Sequence, residues 1–202
     1  MSETRIPTQK RSIEKRNKII EVGFKEMCEN GYHNTTTADI AKKAEVSTGI
    51  VYQYFNDKKE IFIEGVKNYS NSIMFPMIDI LENYDIKNND LSIILNNMID
   101  KFIENHTISK KAHEELIAMS HLDNDVSDIF KNSELEMTNK IVKLLKSNGI
   151  CTPNLKEKVH IIYGMVDNLC HEIVYHKHEQ INYNIMKKEV INIIIKILKD
   201  GS

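Results

Sequence analysis

Between Ser47 and Gln53 the chain reads STGIVYQ. If that stretch is helical, Thr48, Gly49, Tyr52 and Gln53 are free to face outward while Val51 points in. The chemistry available to such a surface is hydrogen bonding to flat, edge-presented groups. A glutamine amide carries donors and an acceptor in one plane, the pattern that pairs bidentately with adenine. Thr and Tyr hydroxyls bond or pack on base edges, and a glycine allows close backbone approach.

A second group of reactive side chains, His171, Glu172, His176, His178 and Glu179, suggests a metal. The zinc-protease pattern needs two histidines four apart on a helix, whereas His171 and His176 are five apart, about 140° round it. Glu172 and His176 share a face but supply only two ligands, so no metal and no cofactor is expected. No nucleophile with a paired base and no phosphate-cradling glycine loop occurs. His113-Glu114-Glu115 reads as a charged helix face, and the expectation is a protein that is not an enzyme.

The elements that must position the first group are helices. Ile13, Ile20, Phe24 and Met27 recur at roughly helical spacing over 10–30, and Asn30-Gly31 stops that helix. Thr36 or Thr37 is placed to cap a short helix over 37–44, with Asp39 in its first turn and Ile40 and Ala41 facing in. Residues 44–47 form a turn, and Ser47 caps a third helix over about 48–54. Asp57 and Glu60 have capping-box spacing for a fourth, which Pro76 should bend or end before Ile78–Tyr84 resumes the apolar pattern. Further helices are expected over 91–106, 109–121, 126–148, 155–178 and 184–199.

Composition agrees with an all-α fold: 202 residues, 41% hydrophobic, with seven Gly and three Pro. No run of 18 apolar residues occurs, and the polar N-terminus lacks the apolar core of a secretion signal, so a cytoplasmic protein without a membrane span is expected. Three separated cysteines, Cys28, Cys151 and Cys170, fit reduced thiols better than a disulfide framework. The net charge of -2 is unevenly spread: residues 1–18 carry six basic against two acidic side chains, a basic arm suited to phosphate contact.

The run GYHNTTTADIAKKAEVSTGIVYQYFNDKKEIF, within about residues 12–62, resembles the DNA-binding domain of the tetracycline-repressor (TetR/AcrR) family. The resemblance rests on Gly31-Tyr32, Thr36, Ile40-Ala41, Val46-Ser47, Gly49, Tyr52, Tyr54-Phe55 and Lys58. The family commonly has glycine in the turn where this chain has Glu45; a non-glycine residue held left-handed there costs roughly 1 kcal/mol. The resemblance implies a helix-turn-helix domain over 1–57 and a helical ligand-binding and dimerisation domain over 58–202. It also implies that Ser47, Thr48, Gly49, Tyr52 and Gln53 meet double-stranded DNA in the groove, with Thr36, Thr37, Tyr54 and Lys58 on phosphates.

For the second domain an adaptable apolar wall is expected from Met77, Met98, Phe102, Met119 and Tyr163, with Asp167 meeting a polar group on an unknown small-molecule effector. These residues are also spaced as ordinary core. The stretch VINIIIKIL, Val190 to Leu198, is apolar almost all round and needs partners on every side. A four-helix bundle across a two-fold axis would supply them, through Val159, Ile162, Val166, Ile173, Val190, Ile194 and Ile197, the alternative being burial within one chain. The expected whole is a homodimeric repressor released from a palindromic operator by a small, apolar molecule. The alternative is a DNA-binding regulator controlled by a protein partner or without a small-molecule ligand.

Overall fold

The computed structural model describes residues 7–83, 90–106 and 108–199, apart from the side chains of Met74, Phe75 and Met77. Among them lie nine helices and no strand: α1 (Lys10–Asn30), α2 (Thr37–Ala44), α3 (Thr48–Tyr54), α4 (Lys58–Asn83), α5 (Leu91–Asn105), α6 (Lys110–Leu122), α7 (Asn124–Ser147), α8 (Leu155–Tyr175) and α9 (Tyr183–Lys199). Pro76 does not end α4; the helix runs through it to Asn83, with Ile73, Ile78 and Leu81 buried on either side. A proline removes one backbone donor, and a helix packed along its length tolerates that loss. α8 stops at Tyr175, three residues short of the expected end.

The chain folds as two compact units. The first comprises the described residues up to Ser70 together with Ile108–Phe130. Its core joins Ile19, Met27, Ile40, Val51 and Phe55 to Ile61, Phe62 and Val66 of α4, and to Ala112, Leu116, Met119 and Val126 of α6 and α7. The compact unit that holds the helix-turn-helix runs on to Ser70, with Ile61, Phe62 and Val66 of α4 buried in it. Ile13, expected on the buried face of α1, is instead 41% exposed; the helix projects beyond the core at its N-terminal end. Where α1 meets α4 the contact is close. A Cβ on Gly23 would lie 2.6 Å from Ile61 Cγ2, and a Cβ on Gly65 would overlap the Phe24 side chain.

Two adjacent lysines fasten this unit. Lys58 Nζ donates to the carbonyls of Tyr32 (2.6 Å) and Thr35 (2.8 Å), and lies 4.6 Å from the Tyr32 ring centroid. Lys59 Nζ lies 2.7 Å from both Asp123 Oδ2 and Asp125 Oδ2 in the turn between α6 and α7. Those two carboxylates hold the Lys59 ammonium well above the usual lysine range. The Tyr32 N–H donates to Glu115 Oε1 at 2.6 Å, which ties the loop after α1 to α6.

The second unit holds the described residues of Asn71–Thr107 and Lys131–Ser202. Ile94, Ile99 and Phe102 of α5, Val159 and Leu169 of α8, and Ile191, Ile194 and Leu198 of α9 are buried. Lys187 Nζ reaches Asp100 Oδ1 at 2.5 Å and ties α9 to α5. Two of the residues expected at a dimer seam, Val159 and Ile194, are buried within their own chain and offer no surface to another. Ile162, Val166, Ile173, Val190 and Ile197 are half-buried. On α8 and α9 the outward apolar side chains include Ile161 (57% exposed), Ile185 and Ile193 (44% exposed), with open space over Gly164. No helix among the described residues is long and apolar enough to cross a membrane.

Candidate nucleic-acid interface

α2 begins with a reciprocal cap. Asp39 N–H donates to Thr36 Oγ1 at 3.2 Å, and Thr36 N–H donates to Asp39 Oδ2 at 2.9 Å. The hydrogen bonds from Thr36 hold the Asp39 carboxyl below the usual carboxylate range. Thr36 is exposed and Thr37 half-buried. α2 ends at Glu45, whose backbone is left-handed at φ 60°, ψ 42°; Val46 N–H closes the turn on the Ala41 carbonyl at 3.0 Å. This is the position where the family commonly has glycine, and the left-handed geometry accounts for that preference.

Ser47 then starts α3, its Oγ accepting from Ile50 N–H at 3.3 Å. The inner side of α3 is Val51, Tyr54 and, just past its end, Phe55, all buried. The outer side is Ser47, Thr48, Gly49, Tyr52 (53% exposed) and Gln53. The five residues expected in the groove thus form one continuous exposed row at the start and outer face of the helix.

Two residues expected on phosphates are engaged within the chain. Tyr54 is only 7% exposed and belongs to the core, because its place on α3 puts it on the same side as Val51. Lys58 has its ammonium occupied by the Tyr32 and Thr35 carbonyls, so its first task is to hold the loop before α2. In the basic arm, Arg16 Nη2 pairs with Glu64 Oε2 at 3.2 Å and its guanidinium sits 5.0 Å from the Phe55 ring centroid. Lys18 pairs with Glu45. Arg11 and Lys15 are exposed and make no ion pair with another described residue. Arg11, Lys15 and Lys18 follow one stripe of α1 at helical spacing. That spacing is legible in the sequence, but not the fact that Lys18 pins the stripe to the helix-turn-helix.

Residues 19–64 match the family model described as bacterial regulatory proteins, tetR family. This N-terminal segment is a TetR-family DNA-binding domain. The matched segment holds both helices of the motif and the first turns of α4. Over 55 residues, 27% of this chain and 24% of the relative, the chain is 47% identical to the HTH-type transcriptional regulator HbdR of Aromatoleum sp. (strain CIB). The chain therefore aligns with only about a quarter of that protein's length. It is also 24% identical over 165 residues to the fatty acid metabolism regulator protein of Bacillus subtilis (strain 168), covering 74% of this chain and 78% of the relative. Among solved structures, a TetR-family regulator from Mesorhizobium loti MAFF303099 superposes with a TM-score of 0.75 at 17% identity, covering 94% of this chain and 98% of that one. The fold is shared throughout, while the sequence likeness concentrates in the DNA-binding unit.

The expected effector residues do not all fall in one unit. Met119 sits in the first unit's core beside Leu116 and Val126. Met98, Phe102, Tyr163 and Asp167 belong to the second unit, Phe102 buried and the other three half-buried. The Met77 side chain lies outside the described residues. Among the described residues no group of three His, Cys, Asp or Glu side chains is placed to hold a metal ion.

Proposed function

We propose that the protein is a homodimeric repressor that reads a palindromic operator and leaves it when a small molecule occupies the second unit. The observation that carries the reading is the exposed row Ser47, Thr48, Gly49, Tyr52 and Gln53 on a helix whose opposite side is locked into a core. Gln53 and Thr48 supply base-edge hydrogen bonds, and Tyr52 packs on the groove wall. Thr36, Arg11 and Lys15 supply contacts to phosphates, which position the domain without reading sequence.

One seven-residue helix makes few contacts, so specificity requires two. Dimeric readers place their recognition helices about 34–36 Å apart, one turn of DNA. The exposed Ile161, Ile185 and Ile193 of α8 and α9 support self-association as the means. An effector changes the DNA affinity only through its different affinity for the two packings of the protein. A hundredfold release needs about 2.7 kcal/mol of coupling. The cytoplasm is the compartment in which such a regulator meets its DNA.

The test is a mobility shift with the full chain on DNA flanking its own gene, against random DNA of equal length. A retarded, salt-sensitive complex at a two-fold symmetric site is expected. Equal affinity for both DNAs at all salt concentrations would overturn the reading. Specific binding that no small molecule relieves would leave a regulator governed by a protein partner.

A further inference from the structure

In the second unit α8 carries a polar stripe at four-residue spacing, Tyr163, Asp167, His171 and Tyr175, and it faces the end of α5. His106 is buried there, its Nδ1 2.6 Å from the Phe102 carbonyl. That contact fixes the tautomer: Nδ1 carries the hydrogen, and Nε2 is left as an acceptor. No hydrogen bond to another described residue engages that Nε2. The His106 ring meets the rings of Phe102, His171 and Tyr175 edge-on at centroid distances of 4.7, 5.2 and 5.9 Å. Asp167 Oδ2 lies 3.3 Å from His171 Nδ1.

Asp167 and Glu134 both act on the Tyr163 hydroxyl and, with burial, hold its proton on far above the usual range. The nearby Lys187 is committed to Asp100. The chain has three arginines, Arg5, Arg11 and Arg16, all at its N-terminal end. The second unit therefore has no guanidinium fork, the group best shaped to hold a carboxylate or phosphate. The seam instead offers acceptors, namely the partly exposed Asp167 carboxylate beside His171 and the His106 Nε2, set among aromatic rings whose faces attract cations.

We infer that the seam between α5 and α8 receives the head group of the effector, and that this head is an N–H-bearing organic cation, a primary or secondary amine on an apolar body. The inference rests on the effector-responsive reading above. Asp167 accepts the charged head, His106 Nε2 accepts one of its hydrogens, and Phe102 and Tyr175 flank it. An acyl carboxylate of the same length meets the Asp167 charge and finds no fork.

The experiment compares octylamine with octanoate on the full chain, by isothermal titration and thermal shift, in wild type, Asp167→Asn, Asp167→Glu and His106→Gln. Asp167 is partly exposed, so its variants keep the fold, which the melting temperature without probe verifies. Saturable octylamine binding is expected, weakened about tenfold or more by Asp167→Asn and largely retained in Asp167→Glu, with octanoate much weaker throughout. Octanoate binding as tightly as octylamine, or octylamine binding indifferent to Asp167→Asn, would overturn the head-group assignment and leave the effector reading standing. Binding of neither probe would also overturn the assignment; the effector reading stands or falls separately, on small-molecule release of DNA.

Discussion

Lys18 Nζ of α1 lies 2.6 Å from Glu45 Oε2, and Glu45 is the left-handed residue that turns α2 toward α3. The first helix thus grips the one turn residue whose backbone conformation disfavours a side chain. Removing the carboxylate and keeping Cβ, as in Glu45→Ala, loses the grip and keeps the strain. Glu45→Gly loses both. Glu45→Gly should melt roughly 2–4 °C above Glu45→Ala, with DNA affinity alike in the two. A glycine variant melting below the alanine variant would mean that the turn is not left-handed in solution.

Gly65 fits α4 against Phe24 with no room for a methyl group. Gly65→Ala should cost about 1–3 kcal/mol by overpacking, read as a lower urea midpoint at unchanged m. A stabilised variant, the usual result of Gly→Ala in an open helix, would show that α1 and α4 do not meet as described.

Lys58 and the pair Arg11 and Lys15 should separate in salt titrations of DNA binding. Lys58→Ala leaves three loop carbonyls without their cation, so it should lower stability by about 1–3 kcal/mol and leave the slope of log K against log salt nearly unchanged. Arg11→Ala and Lys15→Ala should do the reverse, each lowering the slope by about 1 with little effect on melting. Gln53→Ala should narrow the gap between operator and random DNA. A slope change of about 1 for Lys58→Ala would return that lysine to the phosphate backbone.

Self-association through α8 and α9 predicts that Ile161→Asp or Ile193→Glu yields a monomer by sedimentation at micromolar concentration. Both side chains are substantially exposed within the chain, so the monomer should keep its helical circular dichroism. A dimer persisting in both variants would place the interface elsewhere.

Burial lowers the pKa of His106 from 6.5, with His171 adding to the shift, while its bond to Phe102 and the Asp167 charge act the other way. The unfolded chain takes up a proton at about pH 6.5 that the folded chain resists. The stability linked to His106 is therefore complete above that pH and is lost as pH falls through the lowered folded value. Urea midpoints should drop from pH 7.5 to pH 5.5 by more in wild type than in His106→Gln. Equal drops would show that the ring is not excluded from water.

The sequence by itself determined the local parts. The Thr36 and Ser47 caps, the stop at Gly31, the inward Ile40, Ala41 and Val51, and the outward Thr48, Tyr52 and Gln53 follow from short-range rules, where capping chemistry and a 3.6-residue period leave few alternatives. What those rules could not reach is where a long side chain ends. Lys58 is near α3 in sequence, yet only the folded loop shows three carbonyls converging on its ammonium. Tyr54 and Tyr52 are two apart and both aromatic; the packing of α3 on the core sends one inward and the other out. Val159 and Ile194 read as dimer residues because α8 and α9 are apolar on more than one side. Apolar periodicity reports that a face is buried, not whether its cover comes from the same chain or another. The same limit hid the seam of His106 with Asp167 and His171, which joins helices some sixty residues apart and exists only once α5 and α8 are packed.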